Sequence, residues 1–301
     1  MKWATQRLAS YDLVEHAQLR PCYVCDAGNG SDSMFCRHCS APLTLAYQAE
    51  SAKRRPALVA VIGAPSSGKT VYLGMLTDIL SRQQGPLQIL ARGAFSVNLQ
   101  QQAVSALARR RFPASTPPNP EGWNWVHCEL SGLAKRRTVE LVLPDVSGAA
   151  FMSEIEQTDS YPVIRSFLAK CSGAIVLVDT NKLAAGDQEP DFLTMKALSY
   201  LLELDGERKR GWPNRPLAIV FSKADCSDAC FQNPTSYAET CAPGLWRLCQ
   251  ERFRQCRYFA ASVAGACAQV RSRYETFTLP LRVEPRGVTE PLAWLVNQLA
   301  K

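Results

Sequence analysis

A chain of 301 residues has room for one large domain with a small one beside it. Its 47% hydrophobic content is ordinary for a globular protein, and its longest apolar runs, Ala57–Ala64 and Ala174–Val178, fall far short of the ~20 residues of a membrane span. The net charge of +7 permits nucleic-acid binding without implying it. The opening MKWATQRLASYD lacks a signal peptide's apolar stretch and cleavage site, so the expected location is cytoplasmic, with no membrane partner. The 12 cysteines fit that compartment only if most stay reduced or bind metal.

Residues 1–45 are poor in aliphatic clusters and carry two cysteine pairs, Cys22-x2-Cys25 and Cys36-x2-Cys39. Such a segment cannot build a useful apolar core and needs a staple. Two CxxC turns can bring four thiolates into the tetrahedral arrangement that suits Zn²⁺. Two disulfides are the competing reading, disfavoured in a reducing cytosol. The expectation is a zinc ribbon over residues 1–45, followed by a polar, basic linker, AYQAESAKRRP, over 46–56. With zinc bound, the charge becomes +7 − 4 + 2 = +5. Few aromatics and no dense basic run accompany the ribbon, which favours protein contact over nucleic acid. Cys226, Cys230, Cys241, Cys249 and Cys256 are spaced too irregularly for a second site and read as small packing residues.

From Ala57 to Lys301 apolar strands alternate with helical stretches, the pattern of an α/β domain with a mostly parallel sheet. ALVAVIG (57–63) is a buried strand. Thr70–Arg82 is an amphipathic helix and Leu99–Arg111 a second one. Asn124–Leu130 and Thr138–Leu143 form a hairpin turning at SGLAKRR. AIVLVD (174–179) and LAIVFS (217–222) are buried strands, and Tyr258–Ala261 is a short last one. Leu193–Leu204 and Gly244–Cys256 are helices. Thr289-Glu290-Pro291 caps a final helix, LAWLVNQL.

GAPSSGKT (63–70) matches GxxxxGK[ST] in full, directly after a buried strand and at a helix start. Backbone amides of Gly63, Ser66, Ser67, Gly68 and Val71 are placed to cradle phosphates at the helix N-terminus. Lys69 would reach the β- and γ-phosphates and the Thr70 hydroxyl would ligate Mg²⁺. LPDVSG (143–148) supplies Asp145 for Mg²⁺ and the Gly148 amide for the γ-phosphate. SKAD (222–225) follows another buried strand: Asp225 can accept from the N1–H and 2-amino group of guanine, a donor pair that adenine lacks. The Lys223 stem can pack on the base, and AASV (260–263) offers Ser262 and Val263 as further contacts. Taken singly, DxxG and SKAD also occur as ordinary turns and strand caps.

In this order the boxes resemble those of the Ras-like, translation-factor-related GTPases, over roughly Ala57–Ser262. More narrowly, GAPSSGKTVYLGML, DVSG, AIVLVD and PLAWL are similar to the bacterial double-GTPase group, found in multi-gene, defence-type systems. The resemblance implies a six-stranded, mostly parallel sheet with helices on both faces, GTP or GDP with Mg²⁺, and an effector or second GTPase as partner. It implies a threonine in RRRFPASTPPNPEG (109–122) that closes over Mg²⁺ and the γ-phosphate: Thr116 first, Ser115 second. Arg109–Arg111 could act as a finger in cis or simply complement a helix C-terminus. Ser222 departs from the family's usual Asn or Thr and loses the amide that ties this loop to the phosphate loop. Ala149 stands where Ras-like proteins carry the water-orienting glutamine, so slow, partner-dependent hydrolysis is expected unless Glu154 or the arginines compensate; His127 reads as structural. The competing functions are a P-loop ATPase whose zinc module grips nucleic acid, and a pseudo-GTPase scaffold without turnover.

Overall fold

A computed structural model of the protein describes residues 19–30, 32–52, 55–82, 87–132, 138–205, 211–271 and 276–299. The ribbon contains two short strands, β1 (Arg20–Pro21) and β2 (Gly28–Asn29), which pair antiparallel. Helix α1 (Thr44–Ser51) follows, so most of the segment expected as a linker is helical. The ribbon's buried face, Val24, Ala41, Leu43 and Leu45, is continuous with a core that also holds Trp125, Ile164 and Phe167. Burying that face against a larger body supplies the apolar contacts the small module lacks.

The main sheet is laid down by β3 (Ala57–Gly63), β4 (Gln88–Ala91), β5 (Asn124–Ser131), β6 (Val139–Asp145), β7 (Gly173–Asp179), β8 (Leu217–Ser222) and β9 (Cys256–Ala260), in the order β4-β5-β6-β3-β7-β8-β9. Only β5 runs against the rest, since it pairs antiparallel with both β4 and β6. The sheet thus has seven strands where six were expected. The extra one, QILA, is a four-residue edge strand, partly exposed along its length, and too short to show a period in sequence. Alternate residues of β3 feed the two cores: Leu58, Ala60 and Ile62 enter one, and Val59 and Val61 the other. No helix among the described residues is long and apolar enough to cross a membrane.

The helices on the two faces are α2 (Lys69–Ser81), α3 (Asn98–Ala108), α4 (Gly148–Glu156), α5 (Pro162–Lys170), α6 (Thr180–Ala184), α7 (Glu189–Asp205), α8 (Asp228–Gln232), α9 (Pro234–Cys241), α10 (Pro243–Arg252) and α11 (Glu290–Leu299). Between β9 and α11 stands an antiparallel ribbon, β10 (Ser262–Arg271) with β11 (Thr276–Arg286). The sequence reading has no such hairpin there. Its register shifts, between Ser262 and Cys267, break the simple alternation that would have marked it.

β3 lies at the sheet's centre, between β6 and β7. Its register sets Val61 opposite Asp145 and Gly63 opposite Leu177, and Asp179 pairs with Ser222 on β8. The carboxyl ends of four neighbouring strands therefore meet in one crevice, the place where open α/β sheets bind ligands.

Candidate nucleotide site and cysteine cluster

At the end of β3 the chain turns through Ala64–Gly68 into α2. A Cβ on Gly63 would sit 2.6 Å from the Leu177 carbonyl and 2.7 Å from Ser67 Oγ, so only glycine fits there. Ser66 (φ 63°) and Gly68 (φ 90°) take left-handed backbone, which folds the loop back over the helix start. Lys69 is buried, and its ammonium donates to the carbonyls of Gly63 (2.9 Å) and Ala64 (3.1 Å). Burial brings its pKa down to about 8, against the opposing pull of the Asp145 charge. Among the described residues this buried cation bonds to its own loop's carbonyls, and a phosphate fits it as a partner.

Beside the loop, three side chains from separate segments converge. Thr116 Oγ1 donates to Asp145 Oδ2 at 2.8 Å, and Thr70 Oγ1 lies 3.3 Å from Asp145 Oδ1 and 3.0 Å from Thr116 Oγ1. Asp145 is fully buried, and burial raises its pKa even though Thr116, Lys69 and Thr70 oppose the shift. Two hydroxyls and a carboxylate are the hard donors that Mg²⁺ takes. The proline-rich loop is held in place locally: Trp123 Nε1 donates to the Pro117 carbonyl at 2.8 Å, next to Thr116. Ser115, the runner-up, is exposed. Arg109, Arg110 and Arg111 are exposed just past the end of α3.

Gly148 opens α4 under a cap in which Ser147 Oγ accepts from Ala150 N. A Cβ on Gly148 would lie 2.7 Å from Lys69 Nζ and 2.8 Å from Pro65 N, so this glycine is packed on the phosphate loop. Ala149 is exposed in the same turn. Glu154 is fully buried and accepts from Asp159 N (3.1 Å), Tyr161 N (2.7 Å) and Tyr200 Oη (2.8 Å). It anchors the loop after α4.

On the base side, Ser222 Oγ lies 2.7 Å from the Ser67 carbonyl and 3.1 Å from that of Val178. The expected loss of a tie to the phosphate loop is thus corrected: the hydroxyl reaches the loop itself. Lys223 takes left-handed backbone (φ 56°), and its ammonium lies 2.6 Å from Asp179 Oδ2. Asp225 is exposed and accepts from Ser262 Oγ at 2.5 Å. Ser262 is buried at the start of β10, with Val263 next in the strand. Ala224 N donates to the Ala261 carbonyl, joining the two base-side loops. A cavity of about 340 Å³, lined by Pro65, Ser66, Met152, Asp179, Lys182 and Leu193, flanks the phosphate loop. In sequence Asp179 shows only as the end of a strand; its one signal is an acidic residue closing an apolar run.

In the ribbon, the four sulfurs of Cys22, Cys25, Cys36 and Cys39 all lie within 4.8 Å of one another. The Cys22–Cys39 and Cys25–Cys36 separations are 3.7 and 3.5 Å, against about 3.8 Å between ligands of a tetrahedral site with Zn–S bonds of about 2.3 Å. Val24 N and His38 N point at Cys22 Sγ (3.3 Å) and Cys36 Sγ (3.4 Å), as donors to thiolates would. The cluster is compatible with zinc. His127 is buried in β5, with Nδ1 2.8 Å from Gln48 Oε1 on α1 and Nε2 3.3 Å from Glu140 Oε2, a structural position.

No curated protein sequence matches the chain. Among solved structures it is similar to one described as nucleolar GTP-binding protein 1 from Plasmodium falciparum, at 9% identity and a TM-score of 0.36 over 69% of this chain and 77% of that one, an overlap too loose to support any inference. The family model for Double-GTPase 2 matches residues 57–264, from the first strand of the main sheet into the start of β10. That span is more than half of the chain and holds the phosphate loop, Thr116, Asp145 and Asp225; the chain belongs to the Double-GTPase 2 family.

Proposed function

We propose that the chain is a cytoplasmic, GTP-dependent switch that binds GTP or GDP with Mg²⁺, hydrolyses slowly alone and depends on a protein partner for turnover. The observation that carries this reading is the convergence of Thr70, Thr116 and Asp145 beside a complete phosphate loop, with Asp225 held by Ser262 at the base end. Thr116 lies in the loop before β5 and Asp145 ends β6, so a γ-phosphate and its Mg²⁺ would draw both segments together; their loss on hydrolysis would release Thr116. Slow hydrolysis follows from Ala149, whose methyl group cannot orient a water, and from the absence of any free carboxylate role for Glu154. The zinc ribbon is a structural Zn²⁺ module and the contact surface for a protein partner within a multi-protein system.

Competition titration tests base choice: GTP should displace a fluorescent guanine nucleotide well, and ATP should fail. Equal binding of the two would return the chain to the ATPase reading. Single-turnover hydrolysis by the isolated, zinc-loaded protein tests the rest, and turnover of ~1 s⁻¹ without a partner contradicts the slow switch, against unassisted Ras-like rates of about 10⁻⁴ s⁻¹.

A further inference from the structure

We infer that Asp179 is a positioning residue for the nucleotide base: it acts through Lys223, holding that side chain along the base while Asp225 reads the base edge. The inference rests on the guanine-nucleotide reading above and deepens it.

Asp179 ends β7 and is almost wholly buried, yet its two oxygens have separate tasks. Oδ1 accepts from the amides of Asn181 (3.1 Å) and Lys182 (3.3 Å), capping α6. Oδ2 faces the other way and lies 2.6 Å from the Lys223 ammonium. The cap needs only one oxygen, so the second carboxylate oxygen and the full charge are in excess of what α6 requires. That excess is directed at a lysine which is itself set in a sparsely populated backbone conformation.

The lysine's place explains the arrangement. Lys223 is clamped in sequence between Ser222, which lies against the Ser67 carbonyl of the phosphate loop, and Ala224, whose amide donates to Ala261 beside Ser262. Its backbone is thereby fixed on both sides, while its side chain remains 42% exposed at the mouth of the site. A lysine stem has four rotatable bonds and would sweep freely over that mouth. The Asp179 carboxylate, which lines the cavity together with Pro65 and Ser66, pins the far end of that stem. A stem fixed at both ends presents a flat apolar edge to a base without losing rotamer freedom at the moment of binding.

The test uses the full-length, zinc-loaded protein with Mg²⁺ and two probes: GDP, which has a base, and inorganic triphosphate, which does not. Asp179→Asn keeps a capping oxygen but removes the charge that holds Lys223; Asp179→Ser carries the same test should the asparagine variant not fold. The expected result is GDP affinity about tenfold weaker with triphosphate affinity unchanged. In a Lys223→Met background the same Asp179 substitution should then have no further effect, since the two act as one unit. Unchanged GDP affinity, a parallel loss of GDP and triphosphate, or additive effects in the double variant would each overturn the assignment. Failure of the wild-type protein to bind GDP at all would instead remove the guanine-nucleotide reading, so the two failures are distinct.

Discussion

Ser222 Oγ lies 2.7 Å from the carbonyl of Ser67, so a hydroxyl at the end of β8 touches the phosphate loop directly. Both residues are buried, which makes the contact part of the scaffold that holds the base-side and phosphate-side loops in register. A net hydrogen bond of this kind contributes about 0.5–1.5 kcal/mol. Ser222→Ala is therefore expected to weaken GDP binding about 3- to 10-fold, while inorganic triphosphate, which needs only the loop, binds nearly as before. Calorimetric titration with the two ligands distinguishes this outcome from a general loss of folding.

Gly148→Ala should be far more damaging than its single methyl group implies. The new Cβ would lie 2.7 Å from Lys69 Nζ and 2.8 Å from Pro65 N, and the second of these is backbone that cannot move aside cheaply. Lys69 and the loop must shift, so GTP affinity should fall by about 5- to 150-fold, given overpacking costs of ~1–3 kcal/mol. The clash is present in the nucleotide-free fold, so the melting temperature should fall as well, and GTP binding as tight as the wild type's would contradict this account.

Lys69 makes nucleotide binding proton-linked. In the free protein burial lowers its pKa to about 8, while a phosphate partner would hold it charged to much higher pH. The sign is fixed by this difference: above about pH 8 the free protein has a neutral Lys69 that must take up a proton on binding. Affinity should be flat below that pH and fall above it, by up to about tenfold per unit. In the free state the same depressed pKa acts against folding at neutral pH and ceases to do so as pH rises. Binding isotherms between pH 7 and 10, with proton uptake measured in buffers of different ionisation enthalpy, check both the slope and its origin.

The candidate nucleotide site is visible in sequence because its parts are short motifs at strand ends, and strands such as LAIVFS and AIVLVD announce themselves by unbroken apolar runs. Thr116 could be chosen from its loop, but the reason it sits against Asp145 could not: that depends on Trp123 reaching back to the Pro117 carbonyl. At Ser222 sequence shows which group is missing and not how near the remaining hydroxyl comes to Ser67. The ribbon β10–β11 stayed hidden behind its register shifts, and β4 behind its four residues. The helix α1 is hidden in a polar stretch, and its anchors are tertiary: buried Leu45, the Glu50–Arg20 ion pair and the Gln48–His127 contact.

That contact makes the cysteine cluster matter beyond its own residues. Metal supplies the folding energy of a coreless ribbon, and the buried Val24, Leu43 and Leu45 join the ribbon to the domain's core. Stripping zinc with a strong chelator, or replacing Cys36 with serine, should remove one zinc per chain and lower the melting temperature by several degrees. It should also increase hydrogen exchange in Thr44–Ser51 and at His127. Elemental analysis showing no zinc in the native protein would end this account.

Glu154 and Ala149 give opposite expectations for hydrolysis, and together they test where catalysis is lacking. Glu154 is the one buried carboxylate on α4, and three donors already occupy it: two amides of the following loop and the Tyr200 hydroxyl. A buried carboxylate held by three donors is engaged in structure, so its loss should cost stability rather than turnover. Glu154→Gln keeps the shape but presents an amide donor where acceptors are required, leaving at least one buried amide unpaired at about 1–3 kcal/mol. The variant should lose stability, with the loop after α4 exchanging faster, yet its single-turnover rate per folded molecule should equal the wild type's. Ala149 is exposed in the first turn of α4, one residue after the glycine packed on Lys69. A glutamine there has the reach to orient a water against a γ-phosphate, so Ala149→Gln should raise intrinsic hydrolysis, by about 10- to 100-fold if positioning is what the native site lacks. A slower Glu154→Gln enzyme at full folding would place Glu154 in the chemistry after all, and an Ala149→Gln variant no faster than wild type would show that the missing element is charge supplied by a partner rather than a positioned water.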